Sequence, residues 1–281
     1  MTKLSMRLFT AGLILLQVFF PFIARAQGDL LVTPRRVVLD ARQRSVDLSL
    51  ANIGNDTATY NISIVQIRMT EEGAFETITE PDAGQQFASP YLRFFPRSVT
   101  LSPDEVQTVK IQTVRTRELL PGEYRSHIYF RAVPKEKPLG EEPQVQQDPS
   151  TISIKLVPVF GITIPVIIRV GQPSVDVSLT DLSLNFVNDT VPRFGFKFNR
   201  AGDYSVYGDI SVDHISPGGV TTRVGIANGL AVYTPNSVRK FEFNLQNAPG
   251  VDFSTGILRV TFSASSDVKP EKYAEAELNL D

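Results

Sequence analysis

The residues able to do chemistry are few. His127 and His214 are the only imidazoles in 281 residues, and there is no cysteine. Ser126 beside His127 has the composition of a nucleophile and its base, but neighbours in a strand point to opposite faces. Asp213 and His214 meet the same objection. Asp209 and Asp213 alternate with Ile210 and Val212, the pattern of a solvated strand face rather than of an acid–base pair. Two isolated imidazoles and no thiolate leave no ligand cluster for a metal. No Gly-rich phosphate loop, Gly-x-Ser-x-Gly elbow or calcium loop occurs. The sequence therefore predicts a protein that is not an enzyme, with no catalytic residue, no metal and no cofactor. One cationic feature stands out. Arg35 and Arg36 lie between Thr33-Pro34 and Val37-Val38-Leu39, so alternation sends one guanidinium to each face of a strand. A guanidinium aimed between domains could grip a carboxylate through paired hydrogen bonds; the other reading is a surface arginine.

The element that organises the chain is the apolar run from Ser150 to Val170. Lys155, Pro158, Gly161 and Pro165 interrupt it, too often for a membrane helix of ~20 apolar residues. Two prolines and many β-branched residues also exclude a soluble helix. It reads as one long strand or two collinear ones. Ile152, Ile154 and Leu156 alternate with Ser153 and Lys155, and beyond Val157 both faces are apolar. The prolines place part of it on a sheet edge. An apolar edge needs a cover, either within its own sandwich or from another chain.

Around this run the strand signals are dense. Val46–Leu50, Tyr60–Val65, Val106–Ile111 and His127–Val133 recur in style as Phe194–Phe198, Asp209–Asp213, Phe241–Leu245 and Leu258–Phe262, separated by turn residues. No long 3.6-residue period appears, so the chain is all-β. An internal echo supports two copies of one sandwich plan. Asn52–Asp56 matches Asn199–Asp203, Ser102–Ile111 matches Thr234–Phe243, and Gly122–Phe130 matches Gly256–Phe262. The expected boundaries are a leader over 1–26, a first domain over 27–170 and a second over 171–281. The Pro-rich polar stretch Lys135–Pro149 reads as a loop feeding the long strand.

The start has the pattern of a cleavable secretory signal. Lys3 and Arg7 precede an apolar segment from Leu8 to Ile23, and Ala24-Arg25-Ala26 is a small-x-small cleavage site. Cleavage would leave no membrane anchor. It would lower the basic residues from 28 to 25 against 30 acidic ones, moving formal charge from −2 to −5. That balance argues against a nucleic-acid partner.

An ordered set of segments carries a family resemblance. They are Thr33-Pro-Arg-Arg-Val-Val-Leu-Asp40, Val46-Asp-Leu-Ser-Leu-Ala-Asn52, Phe87-Ala-Ser-Pro-Tyr-Leu-Arg-Phe-Phe-Pro96, Leu101–Ile111, Leu120-Pro-Gly-Glu-Tyr-Arg-Ser-His-Ile-Tyr-Phe130 and the long strand. Over Leu31–Val170 the chain resembles PapD-like periplasmic chaperones, which assemble pili by the chaperone–usher route. The resemblance implies two tandem immunoglobulin-like β-sandwich domains, a periplasmic location, a secreted β-rich subunit as partner, and an outer-membrane usher. It implies donor-strand complementation, in which Ile152, Ile154, Leu156, Pro158 and Phe160 offer side chains to an incomplete subunit. Arg36 falls where the family keeps an arginine that holds the subunit's terminal carboxylate. Two departures stand out. Pro165 occupies the place of the family's lysine partner, with Arg35 as the substitute. Arg169 matches the basic member of the family's inter-domain salt bridge, and Arg125 stands where the acidic member is expected. The competing reading is a structural or adhesive tandem module at the cell envelope, with the long strand covered internally.

Overall fold

The computed structural model describes residues 30–40, 43–134, 159–172, 174–265 and 271–280. Among these residues ten strands build the first half: β1 (Leu30–Thr33), β2 (Val37–Asp40), β3 (Ser45–Asn52), β4 (Ala58–Met69), β5 (Phe75–Ile78), β6 (Leu92–Phe95), β7 (Ser98–Leu101), β8 (Val106–Thr113), β9 (Gly122–Ala132) and β10 (Gly161–Val170). Seven build the second: β11 (Val175–Val187), β12 (Val191–Gly202), β13 (Val206–Ile215), β14 (Thr221–Val232), β15 (Val238–Asn244), β16 (Ile257–Ala264) and β17 (Lys272–Asn279). No α-helix occurs among the described residues. Period-2 polarity dictates this outcome. In β12 and β16, for example, every second residue is buried, which only a pleated strand achieves.

Each half is a sandwich of two sheets around its own core. The first stacks β1-β3-β8-β6 on β2-β10-β9-β4-β5, with β7 also on β4. Its core includes Leu48, Leu50 and Ile111 from one sheet and Leu39, Phe130, Val166 and Ile168 from the other. The second stacks β11-β12-β15 on β14-β13-β16-β17, around Phe194, Phe198, Val212, Val260 and Phe262. The echo in the sequence marks equivalent strands. β8 beside β3 corresponds to β15 beside β12, and β9 between β4 and β10 corresponds to β16 between β13 and β17. One detail shifts by a residue. The Asn52 amide N–H bonds to the Glu105 carbonyl, and its counterpart is Arg200, bonded to the Ser237 carbonyl, rather than Asn199. Both side chains then tie down their loops, Asn52 on the carbonyls of Asp56 and Leu101 and Arg200 on those of Asn236, Gly202 and Tyr204.

The first strand changes sheets. β1 pairs antiparallel with β3 on one sheet, the chain crosses over Pro34–Arg36, and β2 then pairs parallel with β10 on the other. β2 is short, so it covers β10 only from Val166 to Arg169. β10 also explains the two-faced apolarity of its sequence. Ile162, Ile164, Val166 and Ile168 face the first core, and Ile167 on the opposite face is fully buried with Met69, Ala231 and Tyr233 between the sandwiches. A strand buried on both sides reads as a continuous apolar run.

Candidate binding edge and inter-domain cleft

The antiparallel pairing of β10 with β9 runs from Gly161 opposite Arg131 to Val170 opposite Gly122. The Ala132 N–H donates to the Phe160 carbonyl at 2.9 Å. That bond sets the ladder's phase. Phe160, Ile162 and Ile164 turn their main-chain groups toward β9, and Gly161, Thr163 and Pro165 turn theirs the other way. Pro165 therefore removes no bond to β9, which is why a proline is tolerated in this strand. Beyond Val166, β2 takes up that second side; over Gly161–Pro165 no described strand pairs there. The part of the run expected at an edge corresponds, among the described residues, to Gly161–Pro165, and from Val166 onward β10 is an interior strand between β9 and β2. Ile152, Ile154, Leu156 and Pro158 lie outside the described residues, as do the expected leader and the stretch Lys135–Pro149. Phe160 is described and 48 % exposed, next to Val159 at 39 %.

Arg36 lies between the sandwiches. Its Nη1 donates to the Tyr233 hydroxyl at 3.1 Å and its Nη2 to Ser205 Oγ at 3.2 Å. The guanidinium carbon stands 4.9 Å from the Tyr207 ring centroid and 5.3 Å from that of Tyr233. Both hydrogen-bond partners are neutral, and no ion pair holds Arg36 among the described residues. It lines a cleft of about 660 Å³ with Arg35, Leu31, Val38, Tyr207 and Tyr273. Alternation thus sends Arg36 inward and leaves Arg35 exposed at the rim.

The floor of the interface is built on the outer face of β9. Glu123 is fully buried, and its Oε2 accepts from Arg169 Nε at 3.0 Å, from the Ser205 N–H at 3.0 Å and from Ser205 Oγ at 2.8 Å. Its Oε1 accepts from Thr234 Oγ1 at 3.3 Å. Arg169 extends the tie by donating to the Ser205 carbonyl at 2.7 Å. The acidic partner of Arg169 is therefore Glu123, and the expectation that put Arg125 in that place is two residues out of register. Arg125 sits one step along the same face. Its Nη2 donates to the Thr234 carbonyl at 3.3 Å, and its guanidinium lies 4.3 Å over the Tyr233 ring. Its Nε and Nη1 make no hydrogen bond among the described residues. Burial pulls its pKa below the usual arginine range, against the opposing pull of Tyr233 and Glu123.

His127 follows on this face, opposite Pro165, edge-on to Phe75 and Tyr233. Burial first, then Arg125 and Arg36, lower its pKa from 6.5 to about 3, which keeps the ring neutral. Ser126 points into the other face, donating to Gln66 Oε1 and accepting from the Ser89 N–H, which keeps serine and histidine apart as the alternation requires. Asp213 pairs with Arg223, and Asp209 accepts from the Gly229 N–H. Among the described residues no cluster of His, Cys, Asp or Glu could hold a metal ion.

A second contact locks the two sandwiches. The turn between β4 and β5 lies along the edge of β15, where the Lys240 N–H donates to the Glu71 carbonyl at 2.6 Å. Asn236 Nδ2 donates to the Met69 carbonyl at 2.8 Å, and Lys240 Nζ reaches Glu72 at 3.3 Å. Sequence reasoning missed this contact, Glu123, and the aromatic contribution of Tyr207 and Tyr233. The one available signal was the outward file of Glu123, Arg125 and His127 on a strand expected to be half-solvated.

No family model matches the chain, and no curated protein matches it. Solved structures do. The chain is similar to the YadV chaperone at 15 % identity and TM-score 0.43, over 90 % of this chain and 100 % of that one. It is similar to the CsuC–CsuE chaperone–tip adhesion subunit pre-assembly complex from archaic chaperone-usher Csu pili of Acinetobacter baumannii, at 12 % identity and TM-score 0.45, over 89 % and 97 %. A third likeness is to the Salmonella enterica SafA pilin in complex with the SafB chaperone, at 15 % identity and TM-score 0.39, over 92 % and 99 %.

Proposed function

We propose that this chain is a non-enzymatic periplasmic chaperone that lends the edge of β10 to an extended segment of a secreted β-rich subunit of a pilus or similar envelope assembly. The observation that carries the reading is the half-covered strand. Gly161 and Thr163 turn main-chain donors and acceptors away from β9, beside the exposed Val159 and Phe160, where β2 has not yet begun. Unpaired edge groups are a template for another chain, and strand addition uses them. Arg36 and Arg35 offer the second handle. Both guanidiniums line the cleft, Arg36 inside and Arg35 at the rim, and neither has a carboxylate partner among the described residues, which suits the terminal carboxylate of the guest. The sites extend upstream to Pro158, Leu156, Ile154 and Ile152, and delivery to an outer-membrane usher completes the scheme.

The test is Thr163→Pro. It removes one N–H that points away from β9 and none that pairs with it, as Pro165 does naturally. The chain exported in its own host is purified with its bound partner, and the variant is compared with the wild type. Loss of the partner with an unchanged thermal midpoint supports strand addition. A partner retained in full refutes it and favours the tandem structural module.

A further inference from the structure

We propose that Tyr129 reads the outward-facing side chains of the strand added to β10 and selects hydroxyl-bearing residues there; this rests on strand addition at that edge. The face of β10 turned away from the first core carries Thr163 opposite Tyr129, which in turn lies opposite Ser63 on β4. Asn61, Ser63, Arg131 and Thr163 are all exposed, so the face is polar. Tyr129 is half-buried and does not stand upright on it. A Cβ added to Gly161 would lie 2.3 Å from Tyr129 Cε2, 2.7 Å from Cζ and 2.6 Å from the phenol oxygen. The far end of the ring therefore lies over the Gly161 backbone, where only glycine gives it room, and this puts its hydroxyl above β10, whose other side no described strand pairs over Gly161–Pro165. That hydroxyl makes no hydrogen bond among the described residues.

A strand laid on this edge alternates like any other. Its inward side chains meet the core beside Ile162 and Ile164, which asks for apolar residues. Its outward side chains fall beside Thr163 and the Tyr129 hydroxyl, which asks for groups that donate and accept. The same face already uses this chemistry. On β4 and β7, Thr59 and Thr100 are directly opposite and their hydroxyls are 2.8 Å apart, a cross-strand pair of a known stabilising kind. The guest segment is thus a strand of alternating apolar and Ser/Thr residues.

The test uses short acetylated peptides in which valine alternates with threonine, alanine or glutamate, flanked by lysines for solubility, and the full protein. Amide protection of Gly161 and Thr163 reports docking at the edge, and titration gives the affinity. The threonine peptide should bind more tightly than the alanine one. Tyr129→Phe should cut that preference by roughly three- to tenfold, the worth of one hydrogen bond, without moving the thermal midpoint. Tyr129→Ala, which uncovers Gly161, would lower the midpoint through packing alone and so separates support from reading. Equal affinities for threonine and alanine peptides, or a preference untouched in Tyr129→Phe, overturn the inference while protection of Gly161 and Thr163 leaves strand addition standing. Absence of protection with every peptide overturns both.

Discussion

Glu123→Gln is the sharpest probe of how the two sandwiches are joined. The substitution keeps the volume and removes the charge of a side chain that is 0 % exposed, while the Arg169 side chain is 27 % exposed. Oε2 receives only donors, from Arg169 and from both polar groups of Ser205. An amide must either place its own NH₂ against those donors or turn its oxygen toward them and present NH₂ to Thr234. Breaking one partner of a buried ion pair costs about 3–5 kcal/mol. Arg169 can rehydrate in part, whereas the buried Ser205 N–H cannot, so the lower figure, about 3 kcal/mol, is expected. Urea unfolding followed by circular dichroism measures the loss, and small-angle scattering measures whether the sandwiches reorient. A double-mutant cycle with Ser205→Ala should show coupling of about 1–2 kcal/mol. A loss below about 1 kcal/mol, or strict additivity with Ser205→Ala, would refute the argument that Glu123 is the tie.

His127 gives a pH signature. It is neutral in the fold, with a pKa lowered from 6.5 to about 3, so below pH 6.5 the unfolded chain binds a proton that the folded chain refuses. Stability should fall as pH drops through that window, by about 2 kcal/mol at pH 5 relative to pH 7. His127→Phe, which keeps an aromatic ring against Phe75 and Tyr233, should flatten that part of the curve; parallel stability–pH curves for the two proteins would contradict the assignment. Phe198 is fully buried, 5.0 Å from Phe262 and 5.2 Å from Phe196 between ring centroids. Phe198→Ala should cost about 4 kcal/mol, read as a lower thermal midpoint of the second sandwich, with amide protection along β9 and β10 unchanged.

The sequence by itself determined the strands, because burial on one face of a pleat imposes a period of two that survives in Val46–Leu50, Phe194–Phe198 and Leu258–Phe262. It determined the repeated plan, because equivalent turns need equivalent residues. It also marked β10, because prolines in an Ile/Val-rich run are compatible with a strand only where one side of the ladder is spared. What it did not carry was registration between distant segments. Whether Glu123 or Arg125 meets Arg169 depends on how β9 slides against β10, and a slip of two residues leaves every side chain on the same face and the pattern unchanged. The inward turn of Arg36 onto Tyr233 and Ser205, the docking of Glu71 on Lys240, and the lie of Tyr129 across Gly161 join residues from separate elements. Only packing the two sandwiches together decides such contacts, since local alternation fixes which face a side chain takes and not what waits there.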